Sequence, residues 1–232
     1  MYTELTRACQ FCGAECSENL VNVPSVPRFS VYLPVMNPAA ESILDLFRST
    51  GAYLKGHFRL TSGLHSSEYL QSALVLQHPG AAEKLGRLLA EQLRTMADEP
   101  VAFVVSPALG GLIIGYEVSR ALGVRFIFTE RDTVTGKMVL RRGFEIAPGE
   151  IGVLVEDVIT TGGSTREVVE LLRAAGARIL AAGCIIDRSG GRADLGLPRV
   201  ALATLNVVSW EPAQCPLCAQ GLPVVKPGSR PA

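Results

Sequence analysis

Two adjacent acids followed by a run of glycines and hydroxyl residues carry the clearest chemical signal in the sequence. Glu156 and Asp157 follow the apolar residues 151–155, and the segment Thr-Thr-Gly-Gly-Ser at 160–164 comes next. Glycines let backbone amides approach an anion closely, and hydroxyls add further donors. Carboxylates can accept hydrogen bonds from sugar hydroxyls or face a hydrated magnesium ion. The pattern therefore predicts a site for a phosphate and for vicinal hydroxyls, the two ends of a ribose 5-phosphate.

The elements around this segment indicate an α/β domain. Short, continuous apolar runs have the character of strands buried on both faces and occur at residues 101–105, 124–129, 151–156 and 179–186. Helical spacing of apolar residues predicts helices at residues 79–93, 111–122 and 164–175. Because strands and helices alternate, we expect a central, mostly parallel sheet flanked by helices. The acids would then lie at the carboxyl end of a strand, where open α/β sheets bind ligands.

The chain is expected to divide into three parts. These are an N-terminal extension at 1–36, a main domain at 37–210 made of a small hood (37–78) and a core (79–210), and a C-terminal tail at 211–232. Asn37 and Pro38 can cap and open the first helix, so the fold does not need the residues before them. In the hood, residues 58–76 predict strands around a Thr-Ser-Gly turn at 61–63. The tail is rich in Pro and Gly and is expected on the surface.

Composition narrows the possible functions. With 22 basic and 22 acidic residues in 232, the chain lacks the excess of positive charge that a broad nucleic-acid surface needs. Its apolar runs are far shorter than the roughly 20 residues of a membrane-spanning helix. Residues 1–35 carry acids and lack the pattern of a secretory signal. We therefore expect a cytoplasmic protein that binds small molecules and neither nucleic acid nor membrane.

The cysteines leave a metal site open. Six are present: Cys9, Cys12, Cys16, Cys184, Cys215 and Cys218. Such a distribution does not resemble a disulfide framework. The two Cys-x-x-Cys pairs have the spacing of zinc knuckles, and four thiolates could close a tetrahedral site if the termini meet. Ordinary cysteines without a metal are the commoner interpretation of two isolated pairs.

A resemblance to a known family sharpens the functional prediction. Residues 153–164, Val-Leu-Val-Glu-Asp-Val-Ile-Thr-Thr-Gly-Gly-Ser, resemble the phosphoribosyl pyrophosphate motif of type I phosphoribosyltransferases. Residues 58–70 and 186–188 resemble the orotate branch, and the resemblance runs from about residue 40 to 210. It implies the fold of that family and the transfer of ribose 5-phosphate from phosphoribosyl pyrophosphate (PRPP) to orotate in pyrimidine (UMP) biosynthesis. It also implies a magnesium cofactor and a homodimer in which a mobile loop serves the partner's site.

The resemblance also implies roles for individual residues. The PRPP-binding set is Arg131, Lys137, Glu156, Asp157, Val158, Ile159, Thr160, Thr161, Gly162, Gly163 and Ser164. The orotate-binding set is Tyr69, Leu70, Thr160 and Arg188, with Arg188 facing the carboxylate of orotate. Lys137 and Asp157 would be catalytic, and the backbone of 106–111 would contact the pyrophosphate. Magnesium would be held through PRPP, without a direct protein ligand.

Several family positions differ in this chain. Many orotate enzymes have lysines where Thr61 and Gly110 stand and a histidine where Val139 stands. The pyrophosphate would then be neutralised by fewer side chains, by magnesium, or by other residues such as Arg141 and Arg142.

Simpler interpretations and other functions stay open. Residues 130–143 could form a solvated hairpin, Asp187 and Arg188 a surface ion pair, and Tyr69 and Leu70 part of a strand core. The alternative functions are a purine-type phosphoribosyltransferase, or a non-catalytic regulator that senses PRPP.

Overall fold

The computed structural model describes residues 38–60 and 62–227, and it confirms the predicted α/β architecture. Its helices are α1 (Pro38–Ser49), α2 (Ser72–Leu76), α3 (Pro79–Met96), α4 (Gly111–Leu122), α5 (Gly163–Ala174) and α6 (Pro216–Ala219). Its strands are β1 (Tyr53–Arg59), β2 (His65–Leu70), β3 (Phe103–Pro107), β4 (Arg125–Arg131), β5 (Met138–Leu140), β6 (Ile151–Ile159), β7 (Arg178–Asp187), β8 (Arg199–Thr204) and β9 (Ser209–Trp210). A short 3-10 helix, Pro212–Gln214, precedes α6. Thr61 and Cys9, Cys12 and Cys16 lie outside the described residues.

The core is a six-stranded sheet in the order β5-β4-β3-β6-β7-β8. All neighbouring strands run parallel except β5, which pairs antiparallel with β4. The chain moves from β3 outward to β4 and β5, then crosses to β6 on the other side of β3. The strand order therefore reverses between β3 and β6, and open α/β sheets bind ligands at such a point.

Alternation along the strands divides the core between the two faces of this sheet. Val104, Val153 and Val155 pack on one face with residues of α1, α3 and α4. Phe103 and Leu154 point the other way and pack with α5. Since successive side chains of a strand lie on opposite faces, these continuous apolar runs fit a sheet covered on both sides.

The hood is a second, smaller sheet in the order β1-β2-β9. The prediction of strand structure up to residue 76 is wrong for residues 72–76, which form α2. A short apolar run does not distinguish a strand from one buried helical turn. The helical turn places Ser72, Val75 and Leu76 on one buried side, which a strand would not do.

The described part of the C-terminal tail returns to the hood. The amide of Val225 donates to the carbonyl of His57 at 2.8 Å, and the amide of Arg59 donates to the carbonyl of Val225 at 2.9 Å. Most residues from 211 to 227 are exposed, as expected of a surface segment, but their path is tied to β1. Among the described residues no helix is both long and apolar enough to cross a membrane.

Helices α3 and α4 approach each other closely at Gly86. A Cβ atom there would lie 2.5 Å from the Cβ of Glu117 and 2.9 Å from its backbone carbonyl carbon. We expect Gly86→Ala to lower the free energy of unfolding by about 1–3 kcal/mol in urea titrations, because α4 must move. Gly80→Ala in the same helix is the control, since no atom lies within 4 Å of its Cβ position. Equal stability of the two variants would contradict this packing.

Candidate active site

The site lies at the carboxyl ends of β3, β6 and β7. Val105 of β3 is in register with Leu154 of β6, and Ile159 of β6 is in register with Asp187 of β7. The amide of Arg188 donates to the carbonyl of Ile159 at 2.8 Å. The loop after β3, the acids of β6 and the arginine after β7 therefore meet at one edge of the sheet.

Glu156 is buried and held by two hydroxyls of the following loop and helix. The Oγ of Ser164 and the Oγ1 of Thr165 donate to its Oε1 at 2.9 and 3.2 Å. Burial, with the negative charge of Asp157 next to it, raises the pKa of Glu156 to about 8, although the two hydroxyls act in the opposite direction. Its environment in the free protein therefore favours the protonated form of this side chain.

Asp157 points into the cleft beside the loop that follows β3. Burial raises the pKa of its carboxyl above the usual range. A Cβ atom on Gly110 would lie 2.6 Å from the Oδ1 of Asp157, so a larger residue at 110 would displace the acid or the loop. This contact is a physical reason for the absence of a lysine at that position.

The loop after the acids has a backbone conformation suited to an anion. Gly162 has a φ of 74°, and a Cβ there would lie 2.4 Å from the Cδ2 of Leu195, so both conformation and space require glycine. Helix α5 begins at Gly163 with no side-chain cap on its first amides. Those amides lack carbonyl partners within the helix and carry partial positive charge. The turn and helix start are therefore suited to a phosphate.

A cleft of about 810 Å³ joins these groups to the hood. Its walls come from the end of the hood, the loop after β3, the hairpin of β4 and β5, the acid and glycine segment, and the tail. The lining residues are Leu60, Ser62, Tyr69, Leu70, Gln71, Pro107, Ala108, Leu109, Gly110, Glu130, Arg131, Met138, Glu156, Asp157, Val158, Ile159, Thr160, Thr161, Gly162, Gly163, Ser164, Thr165, Arg188, Lys226 and Pro227. Of the residues predicted to bind PRPP or orotate, the cleft thus brings all together except Lys137.

Arg188 is a buried cation at the hood side of this cleft. It is 6% exposed, and its Nη2 donates to the carbonyl of Glu68 at 3.1 Å and to the Oγ of Ser66 at 3.4 Å. Its buried Nε has no hydrogen-bond acceptor among the described residues. Asp187 instead pairs with Arg199 at 3.1 Å. The simpler interpretation of residues 187 and 188 as a surface ion pair is therefore wrong, and the guanidinium remains available to an anion in the cleft.

Comparison with known proteins identifies the family. Residues 72–195 match the family described as phosphoribosyl transferase domain. The orotate phosphoribosyltransferase of Pelotomaculum thermopropionicum is 55% identical over 190 residues, 82% of this chain and 97% of that protein. That of Heliobacterium modesticaldum is 53% identical over 190 residues, 82% of this chain and 98% of that protein. The chain belongs to the orotate phosphoribosyltransferase family.

Solved structures of orotate phosphoribosyltransferases agree with the fold. The enzyme of Aeropyrum pernix superposes with a TM-score of 0.59 at 26% identity, over 70% of this chain and 93% of that one. The predicted type I phosphoribosyltransferase fold is confirmed.

The family resemblance assigns two cations of the hairpin, Arg131 and Lys137, to the PRPP site, and only Arg131 lines the cleft. Arg131 lines the cleft, but its guanidinium donates to Glu167 of α5 at 3.0 Å. Lys137 is exposed in the turn after β4 and does not line the cleft. The residues of 130–143 do form a hairpin, and its base is fixed to α5 because the amide of Met138 also donates to Glu167 at 2.7 Å.

The arginines suggested as substitutes for the missing family lysines are already paired. Arg142 donates to Glu130 at 2.7 Å, and Arg141 pairs with Asp132. Lys226 of the tail also lines the cleft, a residue that the sequence did not point to. Its place depends on the return of the tail to the hood, which the sequence analysis did not predict.

The raised pKa of Glu156 predicts a pH-dependent effect of Glu156→Gln. Between its ordinary pKa of 4.5 and about 8, the folded wild-type protein holds a proton that the unfolded chain releases, so wild-type stability falls as pH rises. Glutamine keeps an oxygen acceptor for Ser164 and Thr165 and does not ionise. We expect the variant to gain roughly 1–4 kcal/mol relative to wild type between about pH 5 and 8 in urea titrations. Exposed Glu145→Gln is the control, and a pH-independent difference for Glu156→Gln would contradict the assignment.

Proposed function

We propose that this protein transfers ribose 5-phosphate from PRPP to orotate, giving orotidine 5-phosphate and pyrophosphate. The single observation that carries the proposal is the buried guanidinium of Arg188, with an unpaired Nε, in the same cleft as a phosphate-binding turn and an acid pair. A planar guanidinium suits the carboxylate of orotate, since it can donate two parallel hydrogen bonds. A purine base offers no carboxylate, so a purine substrate would leave Arg188 without a partner.

PRPP would lie along the segment from Glu156 to Ser164. The turn at 160–163 and the start of α5 would bind the 5-phosphate through backbone amides. Glu156 and Asp157 would accept hydrogen bonds from the ribose hydroxyls. In this position the carboxylate of Asp157 would lie next to the reacting sugar. Thr160, between the acids and the glycines, would lie between phosphate and base, while Tyr69 and Leu70 would contact the base from the hood.

The reaction breaks the bond from ribose C1 to pyrophosphate and forms one from C1 to a ring nitrogen of orotate, and the proton of that nitrogen passes to the leaving pyrophosphate or to water. No nucleophile from the protein is needed, so this chain acts by positioning and by placing charge. Positive character that develops on the sugar is stabilised by the carboxylate of Asp157. Negative charge on the leaving group is stabilised by cations at the cleft, Arg131 and Lys226, and by Lys137 when its loop closes.

Magnesium fits the acid pair. It prefers oxygen ligands, and neither Glu156 nor Asp157 has an ion-pair partner among residues 38–60 and 62–227. The two acids would face the ion through PRPP or water rather than bind it directly. When bound, magnesium supplies positive charge beside the pyrophosphate. A cytoplasmic location and a homodimer complete the proposal, and both rest on the sequence.

Arg188→Ala tests the orotate site. We expect the KM for orotate to rise roughly ten- to hundredfold, since hydrogen bonds to a charged group are each worth about 1.5–3 kcal/mol, with a smaller change in the KM for PRPP. Loss of orotate absorbance in the presence of PRPP and magnesium measures the rate. Arg188→Lys keeps the charge but loses the paired geometry and should be intermediate. Exposed Arg192→Ala on the same loop is the control. An unchanged KM for orotate, or turnover of hypoxanthine or adenine instead, would refute the assignment.

Lys137→Ala tests the mobile loop. We expect kcat to fall by roughly a hundredfold, typical for removal of a group that stabilises charge only in the transition state, with little change in the KM for orotate. Exposed Lys84→Ala on α3 is the control. Wild-type kcat in the variant would show that Lys137 has no catalytic role.

Mixing these two variants, assayed at an orotate concentration well below the KM of Arg188→Ala, tests the dimer. If the loop acts on the partner's site, random mixing of Lys137→Ala and Arg188→Ala subunits restores about one quarter of wild-type activity, because half of the dimers are mixed and one site in each is intact. If each loop serves its own site, no intact site forms, and the mixture stays as inactive as its components.

A further inference from the structure

Four potential metal ligands from two distant parts of the chain meet beside the hood sheet. His57 of β1 and His65 of β2 lie next to Cys215 and Cys218 of the Cys-Pro-Leu-Cys turn, and their ligand atoms are all within 4.8 Å of one another. Three of the four residues are buried, and Cys218 is exposed. None of them lines the cleft, so this cluster is a site separate from the one described above.

Three distances in the cluster fit tetrahedral coordination. The Nε2 of His57 is 3.5 Å from the Sγ of Cys215 and 3.6 Å from the Sγ of Cys218, and the Nδ1 of His65 is 3.3 Å from the Sγ of Cys218. Ligands held about 2.0–2.3 Å from a zinc ion in a tetrahedron lie about 3.3–3.8 Å apart. The two imidazole nitrogens are 2.8 Å apart, so an ion would separate them by about half an ångström.

The hydrogen bond on the far side of His57 selects the tautomer that a metal needs. Its Nδ1 lies 2.8 Å from the carbonyl oxygen of Leu222, so Nδ1 carries a proton and donates. In the neutral ring, Nε2 is then unprotonated and points into the cluster. A metal-bound histidine almost always donates its other ring N–H in this way. Leu222 belongs to the same tail as the cysteines, so that segment supplies both ligands and the group that orients one.

The ligand types and their number indicate a structural zinc site. Two thiols and two imidazoles form a Cys₂His₂ set, which suits zinc and is ill suited to magnesium. Four protein ligands close the coordination shell, whereas a catalytic zinc keeps a position open. A disulfide between Cys215 and Cys218 would leave the position of the two histidines beside them unexplained, whereas a metal ion accounts for all four residues.

We propose that His57, His65, Cys215 and Cys218 bind one Zn²⁺ ion that fixes the C-terminal segment to the hood. Among residues 211–227, all of which the structure describes, Cys215 alone is buried, so hydrophobic contact does little to hold this segment. The metal adds to the two backbone hydrogen bonds that join Val225 to β1. Lys226 and Pro227 follow within the same segment and line the cleft, so the ion also fixes one wall of the active site.

Metal analysis of the purified full-length protein, expressed without a histidine tag, tests the proposal. We expect about one zinc per chain in wild type. Cys218→Ser and His57→Ala should lose zinc. Removal of a residue that only hydrogen-bonds to a metal ligand lowers metal affinity roughly 10- to 100-fold, and removal of the ligand itself lowers it further. His78→Ala, which removes the third histidine of the chain, is the matched control and should keep the metal. Cys218 is exposed, so its substitution is compatible with folding.

Two further measurements distinguish zinc bound by these four residues from zinc bound elsewhere on the protein. Cobalt substituted into the wild-type protein should give the visible bands and thiolate charge-transfer absorption of a tetrahedral thiolate site, and Cys218→Ser should alter them. A chelator should lower the Tm of wild type and leave that of Cys218→Ser unchanged. Both measurements are independent of catalysis, so they stand whatever substrate the enzyme uses.

Other outcomes would overturn the proposal. Wild type without zinc that also binds no added Zn²⁺, with Cys215 and Cys218 as free thiols or as a disulfide by mass spectrometry, would refute the site. So would a Cys9→Ser/Cys12→Ser variant that loses zinc while Cys218→Ser retains it, because the ligands would then be the N-terminal thiols.

Discussion

The structure depends on the burial of two adjacent carboxyl groups at the end of β6. Removal from water and mutual repulsion oppose ionisation of Glu156, and burial does the same for Asp157. The hydroxyls of Ser164 and Thr165 offset part of that cost for Glu156. Those hydroxyls belong to the start of α5, whose uncapped first amides are suited to a phosphate. The acid pair and the helix start are therefore parts of one hydrogen-bonded unit.

This unit could be predicted from the sequence because its parts are neighbours in the chain. The apolar strand, the acids, the glycines and the helix follow one another within residues 151–174, so local pattern determines their relative positions. The core strands were predictable for the same reason, since residues buried on both faces leave continuous apolar runs. Short elements without such runs, such as β5 and β9, gave no comparable signal.

Contacts between distant segments could not be predicted in this way. The partner of Arg188 depends on the position of the hood, since its hydrogen bonds go to Ser66 and Glu68, more than a hundred residues earlier. The Cys-x-x-Cys spacing at 215–218 could be seen in the sequence. The two histidines beside it come from the β1–β2 hairpin, and the register shift in β1 decides which side chains share a face. The position of Lys226 depends on the same return of the chain.

Strand β2 connects these long-range features. Its first residue, His65, belongs to the histidine and cysteine cluster, its middle residues bind the guanidinium of Arg188, and its last residues, Tyr69 and Leu70, line the cleft. A strand transmits a displacement along its length because its backbone hydrogen bonds hold it to β1. Fixing His65 to the tail therefore restrains the strand that orients Arg188. A site outside the cleft can in this way hold the Arg188 side of the cleft in place without contributing to its lining.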